Sequence, residues 1–180
     1  VMKDQVFKIV IKYETTEKST ALNFLSAEQT LEKQYPYLFS QCEMIHARAM
    51  LPCQDSPGVK APYTAKVKIM APLKAVFGAI KTNEWTEDGF NFFEYKMTQK
   101  LPAYLISIFA GNVVYKKISD RCGVYAEQCQ VEECAKEFED VEVYRKTAEK
   151  YIGMLYPLEE YNMVMLPPSF TYGGMENPVT

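Results

Sequence analysis

The sequence predicts a mainly β region that gives way, between about residues 115 and 125, to an α/β region. Three observations carry this. Apolar and polar residues alternate over several stretches of the first two thirds. The apolar spacing then changes to that of a helix from Val131 to Leu155. A short apolar strand, Met163-Val164-Met165-Leu166, follows Pro157, which cannot continue a helix.

The elements follow in order. Phe7, Ile9, Ile11 and Tyr13 alternate with Lys8, Val10 and Lys12, which predicts a half-buried strand. Ser26-Ala27-Glu28-Gln29 has the residues of a capping box and predicts a short helical turn. Pro52 to Pro62 reads as a proline-rich loop, with Asp55 before Ser56-Pro57 as its turn builder. Tyr63, Ala65, Val67, Ile69 and Ala71 alternate with Thr64, Lys66, Lys68 and Met70, a second half-buried strand. The Glu87-Asp88-Gly89 turn leads into a strand from about Phe90 to Gln99 with Phe93, Tyr95 and Met97 on one face. Tyr104 to Ala110 is apolar apart from Ser107 and predicts a strand covered on both sides. Val131, Cys134, Ala135 and Phe138 stand at i, i+3, i+4 and i+7, and Val141, Tyr144, Ala148, Ile152 and Leu155 continue the helical period. Asp140 is the expected N-cap there, with Glu142 in the first turn and Lys146 and Lys150 toward the end.

Composition narrows the function classes. A chain of 180 residues holds one domain, or one domain and part of a second, and 48% apolar residues suffice for a packed core. The net charge of -3 comes without a basic block, so no nucleic-acid partner is expected. The run from Tyr104 to Ala110 falls far short of the roughly 18 apolar residues of a membrane helix, so no membrane partner is expected either. The first residues carry no signal-peptide pattern, and Val1 is no initiator methionine; the chain is expected to be part of a longer protein. Its five cysteines are odd in number, have no C-x-x-C pair and accompany no N-x-S/T sequon, which points to reduced thiols and a cytoplasmic location. His46 is the single histidine, so an H-E-x-x-H zinc helix is impossible within these residues. Between Ile45 and Ala47, His46 reads as a packed strand residue.

Two constellations carry chemistry. In Tyr172-Gly173-Gly174-Met175-Glu176-Asn177, glycines without a Cβ let a ligand backbone approach closely. A strand edge there would hold an extended peptide, and Glu176 would make a charge-assisted hydrogen bond to an α-ammonium. A plain hairpin turn with a solvated glutamate fits the same residues. In Gln41-Cys42-Glu43-Met44-Ile45-His46-Ala47-Arg48, a carboxylate stands in an apolar, strand-like stretch, where it either faces a cleft or lies on an edge in water.

The run Pro167-Pro168-Ser169-Phe170-Thr171-Tyr172-Gly173-Gly174-Met175-Glu176-Asn177-Pro178 resembles the G-x-M-E-N exopeptidase motif of the aminopeptidase N-like zinc metallopeptidases, in the Gly-Gly form of the leukotriene A-4 hydrolase branch. Ala27-Glu28-Gln29-Thr30, Pro36-Tyr37-Leu38-Phe39-Ser40-Gln41-Cys42 and the Leu51-Pro52-Cys53-Gln54-Asp55 loop with Pro57 and Lys60 agree in the same order, so the resemblance covers nearly the whole chain. It implies a saddle-like β domain over residues 1–117 and the truncated start of a thermolysin-like zinc peptidase domain over 118–180. It also implies a peptide with a free N-terminus as partner. Glu176 would hold that terminus, Tyr172, Gly173, Gly174, Met175 and Asn177 would line the cleft, and Gln41, Cys42 and Glu43 would reach the same pocket from the β domain. The vertebrate leukotriene A-4 hydrolases have glutamine where this chain has Glu43, whereas many dedicated aminopeptidases have glutamate; the resemblance therefore favours peptides over epoxides. Zinc, its ligands and the catalytic tyrosine belong to the longer parent. These residues are expected to contain no catalytic group, bind no catalytic zinc and hydrolyse nothing alone. A β-domain binding module arising from a natural truncation is the alternative reading.

Overall fold

The computed structural model of the protein describes residues 5–171 and 173–180. Among the described residues ten strands form three sheets. β1 (Leu22–Leu25), β2 (Tyr37–Ser40), β7 (Ile108–Gly111) and β4 (Lys74–Phe77) make a four-stranded antiparallel sheet in that order. β3 (Lys60–Met70), β6 (Phe90–Pro102) and β5 (Ile80–Glu87) make a long antiparallel sheet with β6 in the centre. β8 (Val113–Lys117), β9 (Cys122–Glu127) and β10 (Tyr161–Val164) make the third, with β8 antiparallel and β10 parallel to β9. The connection from β9 to β10 carries two helices, α1 (Val131–Glu137) and α2 (Val141–Ile152), as a parallel pairing requires.

The expected alternation of the second half-buried strand is realised in β3 and β6. Phe93, Tyr95 and Met97 are buried on one face of β6, and Tyr63, Ala65, Val67 and Ile69 of β3 pack against the same core. Ala75 and Ala110 close that core from the four-stranded sheet, with Ala79 from the connection between β4 and β5. A second core gathers Leu25, Tyr37, Phe39, Val76, Phe109 and Val113, and a third packs Val131 and Cys134 of α1 onto Val124 and Ala126 of β9.

Several sequence expectations are corrected. Residues 7–13 form no strand: Phe7, Ile9, Val10, Ile11 and Tyr13 are exposed, and no described strand lies beside them to accept their backbone hydrogen bonds. The stretch from Tyr104 is a short helical turn at Ala103–Leu105 before β7 begins at Ile108. The helical period is interrupted after Glu137, where the Phe138 N–H bonds to both Cys134 and Lys136 carbonyls and tightens the turn. Asp140 precedes α2 but its side chain does not cap it. The helix ends at Gly153, whose φ of 74° is the left-handed conformation glycine adopts without strain. The Gln41–Arg48 stretch is a turn leading into the helical turn Ala47–Ala49, not a strand, and His46 meets Thr20 Oγ1 through its Nδ1 at 2.8 Å.

Candidate functional site

The Pro167–Thr180 segment leaves β10 and runs over the four-stranded sheet. It is held at both ends. At its start Pro167 is fully buried and the Phe170 N–H bonds back to the Pro167 carbonyl at 2.9 Å. The Phe170 ring meets Phe39 of β2 edge-on, with centroids 5.2 Å apart and planes at 84°. Ser169 Oγ donates to the Gln29 carbonyl at 3.3 Å. At its far end Val179 is 2% exposed and sits in the core with Ala75, Phe93 and Met97, while its carbonyl accepts the Asn162 N–H at 2.6 Å. Between these ends the chain bows outward. Gly173, Gly174 and Glu176 are exposed, and Met175 tucks back against the Phe39–Phe109 core. Asn177 closes the bow, its Nδ2 donating to the Met175 carbonyl at 3.3 Å and its N–H to the Thr180 carbonyl at 3.2 Å.

The two glycines act through space. A Cβ at Gly173 would meet nothing within 4 Å, and one at Gly174 would meet only Glu176 Oε1, at 3.7 Å. Both glycines line a cavity of about 370 Å³ whose floor is Phe109, Phe138, Val164 and Leu166. The expected strand edge takes another form: β10 stops at Val164, and residues 173–177 lie outside the sheets. Tyr172 lies outside the described residues.

The second predicted segment is placed by β1 and β2. The Gln41 N–H bonds to the Ala21 carbonyl at 2.7 Å, continuing the β1–β2 pairing by one residue. Cys42 is 3% exposed beside Ala21, Ala47 and Ala103. Burial, with the nearby charges of Asp55 and Cys53, pushes its thiol up to about 12, so it is a neutral packing group at physiological pH. Glu43 is exposed. Asp55 is the turn builder the sequence suggested: its Oδ2 accepts the Arg48 backbone N–H and Nε, each at 3.1 Å, and its carbonyl accepts Arg48 Nη2 at 2.9 Å.

Phe39 joins the two segments, standing two residues before Gln41 and touching Phe170. The cavity beside Gly173 and Gly174 is not lined by Gln41, Cys42 or Glu43. Among the described residues no three His, Cys, Asp or Glu side chains come together as a metal ion would need. No helix among them is long and apolar enough to cross a membrane.

Sequence reading missed the polar joints behind the site. Glu127, at the end of β9, is 3% exposed and accepts the backbone N–H groups of Leu31 at 3.0 Å and Glu32 at 2.9 Å. Arg121 donates to the carbonyls of Tyr156, Leu158 and Glu159. A charged residue ending an apolar strand was the only available signal for Glu127.

Residues 1–105 match the model of the peptidase M1 N-terminal domain. The chain belongs to the M1 peptidase family. It is 40% identical to leucine aminopeptidase 2 of Coccidioides immitis over 98% of its own length and 29% of that protein's. It is 38% identical to leukotriene A-4 hydrolase of Xenopus laevis over 91% of its length and 27% of that protein's. Among solved structures, yeast LTA4 hydrolase superposes with a TM-score of 0.83 at 41% identity, covering 91% of this chain and 25% of that one. The same yeast protein in complex with bestatin gives 0.80 at 42% identity, with the same coverage. This M1 chain thus spans somewhat more than a quarter of the length of the relatives it matches, and its mainly β architecture is that of their N-terminal β domain.

Proposed function

We propose that these residues form the substrate-anchoring part of a cytoplasmic zinc aminopeptidase that removes N-terminal residues from peptides. In this reading residues 1–117 belong to the β domain, residues 118–180 open the peptidase domain, and the zinc is held elsewhere in the complete protein, where it would polarise the scissile carbonyl and its water. The observation that carries the proposal is the outward bow of Gly173-Gly174-Met175-Glu176 between two anchors, the half-buried Phe170 against Phe39 and the buried Val179. A peptide laid along the bow meets backbone rather than side chains at Gly173 and Gly174. Its α-ammonium is met by the Glu176 carboxylate, with Glu43 as second carboxylate and Gln41 and Asn177 as neutral neighbours. Cys42 contributes packing under Glu43.

The test is Glu176→Ala in the complete protein, assayed on one peptide with a free and with an acetylated N-terminus. Truncating one partner of a charged hydrogen bond costs about 2–3 kcal/mol, roughly 30- to 150-fold in kcat/KM. That loss should fall on the free peptide alone. Equal effects on both peptides, or none, would refute the anchoring role. The similarity to a leukotriene A-4 hydrolase makes epoxide hydrolysis a second activity to assay on the same protein; Glu43 favours the peptide.

A further inference from the structure

We propose that Glu127 is a positioning residue for the anchoring segment, acting through the loop at residues 27–33. The inference rests on the anchoring role of Glu176. Glu127 is 3% exposed, and a carboxylate so deeply placed needs donors. It receives two, the adjacent backbone N–H groups of Leu31 and Glu32. Glu32 returns the grip: its Oε1 accepts the Cys129 N–H at 3.0 Å and its Oε2 accepts Asn112 Nδ2 at 3.0 Å. Two carboxylates, one from each side, thus clasp the loop to the end of β9 and the β7–β8 corner.

The loop is hydrogen-bonded to itself. Thr30 is buried, and its Oγ1 donates to the Ala27 carbonyl at 2.7 Å while accepting the Lys33 N–H at 3.2 Å. Its Gln29 carbonyl receives Ser169 Oγ. A shift of the loop is therefore passed to Ser169 and Phe170, the residues from which the bow to Glu176 starts.

A displaced anchor weakens the hold on the α-ammonium equally in the ground and transition states, so the expected signature is in KM rather than kcat. In the complete protein Glu127→Ala should raise KM for a free-N-terminal aminoacyl anilide about five- to twentyfold with kcat within about twofold. Glu127→Gln should lie between, because its carbonyl oxygen accepts one N–H and its amide nitrogen none. Arg121→Ala serves as the structural control: it lowers the thermal midpoint and should leave KM in place. Amide exchange at Phe170, whose N–H bonds to the Pro167 carbonyl where the bow begins, gives a readout independent of catalysis, and should quicken in Glu127→Gln but not in Arg121→Ala. Should Glu127→Ala fail to fold, Glu127→Gln and Ser169→Ala carry the test. An unchanged KM with unchanged exchange overturns the proposal, as does a KM change matched by Arg121→Ala. If Glu176→Ala leaves the preference for free N-termini intact, the anchoring reading fails, while faster exchange at Phe170 in Glu127→Gln would still establish the clasp.

Discussion

Arg145 is the clearest place to test how the α/β end of the molecule is held. Its side chain is 8% exposed. Nη2 and Nε grip Glu142 at 2.7 and 3.1 Å, and Nη1 grips Glu149 Oε1 at 2.5 Å. The two carboxylates are 17% and 13% exposed and have secondary donors: Ser119 Oγ, Cys122 Sγ and Lys146 on Glu142, and the Tyr156 N–H on Glu149. Removing one partner of a buried ion pair costs about 3–5 kcal/mol; these residual donors and partial wetting bring Arg145→Leu down to about 2–3 kcal/mol. For a chain of this size that is a fall of roughly 5–10 °C in Tm, read by circular dichroism at pH 7. The pH dependence separates charge from packing. Hydrogen bonds from Arg145 hold the Glu142 carboxyl well below the usual carboxylate range, further helped by Cys122 and Lys146 against the cost of burial. A folded-state value depressed below the unfolded one contributes stability that is present above the unfolded value, about 4.3, and lost as pH falls toward the folded value. The native protein should therefore lose this increment on acidification below about pH 4.5, and the gap to Arg145→Leu should narrow over the same window. A gap that stays constant from pH 7 to pH 3 would refute the charge argument, and no gap at pH 7 would refute the network altogether.

Two further outcomes follow from packing and burial. Gly111→Ala would place a Cβ 2.4 Å from Cδ2 and 2.8 Å from Cε2 of Tyr37, a ring only 2% exposed, and should destabilise by about 1–3 kcal/mol in thermal unfolding; Gly58→Ala, with nothing within 4 Å, is the neutral comparison. A maleimide at neutral pH, followed by mass spectrometry, should label exposed Cys129 well before Cys42, whose thiol is buried and pushed up to about 12. Equal labelling rates would contradict the placement of Cys42.

Legibility in the sequence followed the range of the interactions. β3 and β6 were readable because alternation over many residues reports a local periodicity, and one face of each does pack inward. The capping box at Ser26 was readable for the same reason, and Gln29 Oε1 accepts the Ser26 N–H at 3.0 Å. Residues 7–13 have an equally good strand pattern and form none, since pairing needs a neighbour that periodicity does not report. The break between α1 and α2 was hidden because the apolar spacing runs on across Phe138 and Val141 while the hydrogen bonding does not. At the site, the glycines and Glu176 were legible as residue types. The two burials that shape the bow, Phe170 on Phe39 and Val179 in the core under β6, join positions far apart in the chain. The Glu127 clasp was hidden likewise, since its donors are backbone groups and leave no trace in residue identity.

The proposed anchoring role suits a carboxylate on a bowed segment better than one within a sheet. A strand at residues 173–177 would fix every second side chain by pairing and would spend its backbone groups on a neighbour. The bow leaves the backbone at Gly173 and Gly174 open to a peptide, while Phe170 and Val179 fix where the bow begins and ends. The α-ammonium is the one feature every substrate with a free N-terminus shares, and it lies next to the bond to be cut. A carboxylate held at a set place gives every such substrate the same charged contact, a hold expressed in affinity in the ground and transition states alike. The value of Glu176 then depends on how rigidly Phe39 and the loop beneath Ser169 hold their ends, so stability at these joints and substrate affinity are expected to move together.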